Sequence, residues 1–519
     1  MFRIGNMAAS ERPLHALNRA AFGPRPGDLD RVRAIGAERY LHEQLDPESI
    51  PIPPDLTARI DSLPTLKLTP VELFLQFRQP LMELPKGDPA ARKQIRQQAR
   101  IVVMEAIKAR ILRALDGPRQ LQEVMTAFWF NHFNVFVGKG LDLIWTGAYE
   151  QEAIRPHAMG RFRDLLGATA KHPAMLFYLD NWQNTMPGAA VKNPRFGGIN
   201  ENYARELMEL HTLGVNGGYT QRDVIALAHL LTGWGLVRRD VFRPWQRRRL
   251  FAQGAETDAN GFFFDPRRHD FGAQVFMGKQ IEGAGIGAGE LALDMLASHP
   301  ATARHLSSQL AQYFVADAPP GPLVDRMARR YLETDGHIRE VLATLFTSPE
   351  FWDQRSRASK FKTPYEYVLS AVRLSGIEVT NFRPLAGWMQ QMGMPLYGHE
   401  TPDGYSQTEE AWLNPDGMMM RLSFATALGS GHMPLEAPDF EEIADEGGGG
   451  AAGFFRKATL TPRSGEIPDI DAKRTIPDAS RIAASLGDNL SSQTVSAVLA
   501  APPQLRASMI LGSPEFMMR

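Results

Sequence analysis

Apolar residues recur at spacings of three and four along most of the chain, which is the pattern of a helix with one buried face. GDLDRVRAIGAERYLHEQL (27–45), TPVELFLQFRQPLMEL (69–84) and PAARKQIRQQARIVVMEAIKARILRAL (89–115) carry it most clearly. Gly117 and Pro118 break the third stretch, and LQEVMTAFWFNHFNVF (121–136) begins another helix. The pattern returns in GELALDMLASHPATARHLSSQLAQYF (289–314) and PLVDRMARRYLETDGHIREVLATLF (322–346). The expected fold is mainly α, a large multi-helix body.

Residues 235–283 depart from this. Short β-prone runs separated by Asp-Ala-Asn-Gly and Gly-Lys predict a small β-hairpin or meander inserted in the helical body. Further on, four consecutive glycines follow an acidic run within 440–470, a composition of flexible linkers. The expected organisation is a helical main domain over 1–439, a Gly-rich linker over 440–470, and C-terminal helices over 471–519 that pack on the main domain. VLATLFTSPEFW (341–352) and RASMILGSPEFM (506–517) share Ser-Pro-Glu-Phe, which predicts two helix starts with Ser as N-cap and Pro in the first turn. His172-Pro173 and His299-Pro300 are read the same way, as helix entries.

Composition narrows the chemistry. The chain has 57 Lys and Arg against 58 Asp and Glu, so no overall field draws it to nucleic acid or an anionic membrane. No nucleic-acid-binding module is present. It has no cysteine, which removes disulfides, thiolate nucleophiles and Cys-ligated metals, and leaves His, Asp, Glu or Asn to hold any divalent metal. The first residues, MFRIGNMAASERPLHALNRAAFG, lack the apolar core of a secretory signal, and no stretch approaches the ~20 apolar residues that span a bilayer. A cytoplasmic location is expected, with export left open.

One stretch concentrates polar groups, NENYARELMELHTLGVNGGY (200–219). On a helical wheel Asn202, Arg205, Glu206, Glu209 and Thr212 share a face, and His211 falls opposite. The near-match of ELMELH to a zinc-protease helix therefore fails, because that motif needs two His four apart on one face. Gly214 ends the helix, and Thr220 with Asp223 forms a capping box for the apolar helix that follows.

Other candidates lie far away in sequence. AFWFNHFNVFVGKG (127–140) sets His132 among aromatics, beside Asn131 and Asn134. His269 and Asp270 fall in the β insertion, and Asn181 follows HPAMLFYLD at a helix end. Arg247, Arg248 and Arg249 offer guanidinium forks to an anionic ligand or a partner protein.

The ordered set LNRAAFGPRPGDLDRVRAIG, FWFNHF, HPAMLFYLDN, NENYARELMELHTLGVNGGYTQRDVIALAHLLTGW, RHDFGAQVFMGK and LFTSPEFW resembles the bacterial domain-of-unknown-function family numbered 1800 (DUF1800). The resemblance implies a mainly helical protein without an established activity. It also implies frequent genomic association with a second family that looks like the alkaline phosphatase and sulfatase class. The matched positions are Asn131, His132, Asn181, Asn200, Glu201, Asn202, Arg205, Glu206, Glu209, Gly233, Trp234, His269 and Asp270, and no catalytic role comes with them.

Two functional expectations follow. In the first, a hydrolase acts on a glycan or other anionic substrate: Glu206, Glu209, His132, His269 and Asp270 are the catalytic candidates, and Asn131, Asn181, Asn202 and Arg205 the ligand-binding ones. In its metal-dependent form, His132, Glu206, His269 and Asp270 are the candidate ligands of a divalent ion that activates water. In the second, the protein is a non-catalytic scaffold, and the same groups close into a structural polar network.

Overall fold

Helix Pro89–Asp116 stops at the Gly117-Pro118 break, and helix Gln120–His132 turns back across it. The long helix packs on Asp142–Tyr149, where Gly147 allows the close approach: a Cβ there would lie 2.7 Å from that of Ala106. The computed structural model describes residues 5–84, 89–189, 197–237, 244–436 and 475–519. Helices hold 61% of the chain and strands 4%, so the fold is mainly α with small sheets.

Local details follow from backbone chemistry. The 27–45 pattern splits into Asp28–Ile35 and Ala37–Leu45, because Gly36 takes a positive φ between them. The 69–84 pattern starts at a Thr69–Glu72 capping box and contains a π-helical turn, Phe74–Arg78. His172 and His299 each cap a helix, with Nδ1 accepting from the backbone N–H two residues on at 3.1 Å. The second Ser-Pro-Glu-Phe copy starts helix Pro514–Met517 with Ser513 as its cap. The first copy ends in a turn without a helix, although the Ser348 hydroxyl still accepts from Phe351 N–H.

The insertion supplies three short strands, β1 (Trp234–Leu236), β2 (Glu256–Thr257) and β3 (Phe262–Phe264), in antiparallel order β1-β3-β2. Trp234 pairs with Phe264 and Leu236 with Phe262, which turns an aromatic face onto the helices. A separate hairpin joins β4 (Gln274–Phe276) to β5 (Lys279–Ile281) through Met277 and Gly278, both at positive φ, as a tight two-residue turn requires. The helix Gln221–Leu230 packs on β4.

The hydrophobic core is continuous from Met7 to Met517. The helix Ala479–Leu486 contacts both Asp28–Ile35 and Pro364–Ser375, and Pro503–Leu511 lies along Pro415–Gly429. The 440–470 segment read as a linker lies outside the described residues.

Candidate functional site

The polar face of 200–212 is built in two parts. Asn202–Glu206 is α-helical, and Leu207–His211 widens into a π-turn, a feature frequent at functional sites. Thr212 Oγ1 then donates to the Leu207 carbonyl at 2.7 Å, and Gly214, at positive φ, turns the chain. The Thr220–Asp223 capping box starts the next helix. Arg205 is held by Glu201 (3.1 Å), Gln221 (2.8 Å) and Glu209 (3.6 Å). Its guanidinium serves this helix pair.

Glu206 is half-buried beside them. Burial and the neighbouring Glu209 push its carboxyl above the ordinary value; Arg205 opposes this and Asp403 adds to it. Tyr219 is pushed up to about 12 by burial and by its hydrogen bond to Glu209.

Asp403 comes from a loop that the sequence pattern did not single out. Burial works to raise its carboxyl, but hydrogen bonds from Thr401 Oγ1 (2.5 Å) and His399 Nε2 (3.3 Å) outweigh that and hold it below its usual value. The loop is clamped from helix Gln120–His132 and the residues after it. Asn131 Nδ2 donates to the Tyr405 carbonyl and its Oδ1 accepts from Tyr405 N–H, while Asn134 Nδ2 donates to the carbonyls of His399 (3.1 Å) and Thr401 (2.8 Å). Gly404 is obligatory here: at its positive φ a Cβ would lie 2.2 Å from Asn131 O. The sequence signal was Pro-Asp-Gly, a turn signature within 402–404.

Tyr178 lies between these carboxyls and a third. Burial first, then Asp142, Asp403 and Glu206, raise its hydroxyl, against a hydrogen bond with Asn134. Its OH donates to Glu400 O at 2.8 Å. Asp142 is fully buried with both carboxyl oxygens unpartnered, and burial raises it well above the carboxylate range.

The asparagines behave as backbone fasteners. Asn181 Nδ2 donates to Trp234 O (3.2 Å), Asn184 Nδ2 to Ala228 O (2.7 Å), and Asn202 Nδ2 to Leu179 O (3.1 Å). Together they tie the segments around 180 and 200 to the end of helix Gln221–Leu230.

His132 faces the core. Its Nε2 donates to the His211 carbonyl at 3.1 Å, and its ring lies among Trp129, Phe133, His211 and His305. Burial, then His305, lowers it to about 3, so it is neutral. His269 is fully buried in the insertion, with Nδ1 donating to Thr232 O at 2.8 Å; burial lowers it as well. Asp270 turns instead to His229, accepting from Nδ1 at 2.6 Å in a half-buried pair. His229 sits on the apolar part of helix Gln221–Leu230, so its partner was not legible in the pattern.

The sequence-derived candidates thus occupy three neighbourhoods: Arg205, Glu206 and Glu209 on one helix, with Asp403 near enough to raise Glu206, His132 in an aromatic core, and His269 with Asp270 in the insertion. Among the described residues no group of three or more His, Asp or Glu is placed to hold a metal ion, so the expected ligand set of His132, Glu206, His269 and Asp270 has no common centre. Arg248 and Arg249 are exposed on helix Pro244–Ala252, which also carries Arg247. Among the described residues no helix is long and apolar enough to cross a membrane.

The family model described as "Protein of unknown function (DUF1800)" matches residues 15–518. No curated protein and no solved structure matches the chain.

Proposed function

The chain belongs to the DUF1800 family, and we propose that it is a hydrolase in which Glu206 is the general acid and Asp403 the general base. The observation that carries this reading is that the environment moves these two carboxyls in opposite directions, Glu206 up and Asp403 down, with Asp403 contributing to the rise of Glu206. A pair separated in this way can hold one proton to give and one site to receive a proton at the same pH.

Glu201, Glu209 and Asp403 outweigh Arg205, which is paired with Glu201, Gln221 and Glu209, so the site disfavours an anionic substrate and suits a neutral glycan. Glu206 would protonate the leaving glycosidic oxygen. Asp403 would take a proton from water as the water oxygen bonds to the anomeric carbon, so that water adds across the broken C–O bond.

The test is a panel of neutral and acidic glycosides with the full chain, with Glu206→Gln and Asp403→Asn as controls. Turnover of a neutral glycoside that each substitution lowers by roughly 100-fold or more supports the reading. Turnover untouched by both would sink it.

The scaffold reading is favoured by a different observation: Asn131, Asn134, Asn181, Asn184 and Asn202 all donate to backbone carbonyls, as structural residues do. In that case Glu206→Gln, by removing a desolvated carboxyl, leaves every activity unchanged and raises stability.

A further inference from the structure

Two buried donors border one cavity, and neither has its full set of acceptors. Arg110, 8% exposed, spends Nη1 on Glu150 (2.8 Å) and Nε on the Tyr365 hydroxyl (3.4 Å), and its Nη2 donates to no atom of the described residues. Tyr365, 4% exposed, only accepts in that second bond, so its own O–H has no acceptor among them. Burial pushes the Tyr365 phenol up to about 12, against Arg110, so the proton is in place near neutral pH. Buried donors of this kind are costly until something accepts from them.

The cavity measures about 40 Å³, more than one water needs and enough for a group of a few heavy atoms. Phe128, Phe130 and Met394 give it apolar wall. Gln407 adds a further polar group: its Nε2 donates to the Tyr405 carbonyl at 3.4 Å, and its Oε1 accepts from no described residue.

The wall carries one cation and one anion, Arg110 and Glu366, and both are matched. Arg110 and Arg155 share Glu150, Arg155 continues to Glu123, and Glu366 pairs with Arg519 at 3.0 Å. The rings of Phe130, Tyr365 and Tyr397 also stand 5.2, 5.1 and 5.3 Å from the Arg110 guanidinium carbon. A charged ligand would find no free counter-charge here, so a neutral one fits. Two donors, one acceptor and an apolar wall complement an amide, which has a carbonyl with two lone pairs, an N–H and a hydrocarbon end.

We propose that this cavity binds a small neutral amide, its carbonyl oxygen accepting from Arg110 Nη2 and Tyr365 OH, its N–H donating to Gln407 Oε1, and its methyl end against Phe128, Phe130 and Met394. The site requires no catalytic role of Glu206 or Asp403. Asn131 and Tyr405, which clamp the 399–405 loop, border the same cavity, so an occupant also stiffens that loop.

The experiment mixes the full chain with N-methylacetamide, N-acetylglycinamide, acetate or isopropylammonium at constant ionic strength, following saturation-transfer NMR of the small molecule and hydrogen exchange of 394–407. The expected result is saturable transfer to the methyl groups of N-methylacetamide, with a dissociation constant on the order of millimolar for so small a ligand. Exchange in 394–407 slows several-fold at saturation, and neither ion does either. A matching response to N-acetylglycinamide supports the site and shows that it also takes the end of a longer molecule. Tyr365→Phe keeps the ring and loses the O–H, and Gln407→Ala, at a partly exposed position, loses the acceptor; each should weaken binding several-fold. Ala127→Leu, from a partly exposed position on the cavity wall, should fill the space and abolish binding. Equal responses to acetate or isopropylammonium, no response to either amide because water alone fills the cavity, or binding undiminished in the Gln407 and Ala127 variants would overturn the proposal.

Discussion

Asn131 and Tyr405 exchange two hydrogen bonds, Nδ2–H to the Tyr405 carbonyl at 2.9 Å and Tyr405 N–H to Oδ1 at 2.7 Å, across 274 residues of chain. The side-chain amide thus stands in for a neighbouring strand and fixes the loop that presents Asp403. Asn131→Asp keeps the acceptor, loses the donor and sets a carboxylate against a carbonyl. A loss of about 1–3 kcal/mol is expected, with hydrogen exchange faster in 398–406 than elsewhere. Unchanged protection of that loop would show that the clamp is idle.

The opposite displacement of Glu206 and Asp403 fixes the shape of a pH profile. In the proposed hydrolase, activity would require Asp403 ionised and would fail as pH falls through that group's lowered pKa. It would also require Glu206 protonated and would fail as pH rises through a pKa above the ordinary Glu value. Glu209→Gln removes a charge that raises Glu206, so the alkaline limb should move to lower pH while the acid limb stays. Carbon NMR titration of the carboxyls reads the same shift without a substrate. A Glu206 titration that does not respond to Glu209→Gln would count against the coupling.

Much of the fold was legible because helices with buried faces repeat at a period that survives in sequence. Thr69, Thr220, His172 and His299 even mark helix entries by type and spacing. The candidate site was legible only on one side. Glu206 and Glu209 share a helix, so their common face follows from periodicity. Asp403 comes near Glu206 by a loop whose position depends on Asn131 and Asn134, and contacts at such separation leave no periodic trace. His132 and His269 look catalytic in sequence because imidazoles among aromatics are chemically conspicuous. In the structure their donors meet the carbonyls of His211 and Thr232.

His132 carries an acid-lability prediction. It titrates at about 3 in the folded protein, against an ordinary value of 6.5. Between those values the unfolded chain binds a proton that the folded chain refuses, so stability rises with pH across that window and is lost as pH falls from 6.5 towards 3. The full effect is on the order of several kcal/mol. His132→Gln, which cannot titrate, should flatten the dependence of denaturant midpoint on pH by about one proton's worth. A slope equal to wild type would place the lability in other groups, such as His15 and His211, both also held neutral by burial.

Glu150 holds a buried charge network together. Its carboxylate, fully buried at the start of the π-turn Glu150–Ile154, meets Arg110 at 2.8 Å and Arg155 at 3.2 Å, and accepts from the Tyr397 hydroxyl at 3.1 Å. Arg155 continues to Glu123 at 2.6 Å. Tyr397 is held at a φ of 61°, a strained region for a side chain of its size, four residues after Gly393 and six before Asp403. The network therefore supports both the core and the start of the loop. Glu150→Gln keeps the shape but leaves two buried guanidiniums facing a neutral group, so a loss of about 3–5 kcal/mol is expected. Tyr397→Phe removes one hydrogen bond and leaves the ions paired, so a loss of about 1 kcal/mol is expected. Denaturant unfolding of both variants separates the cases: near-equal losses would mean that the charges contribute no more than the single hydroxyl, and that burial of the aromatic cluster around Arg110 carries the region instead.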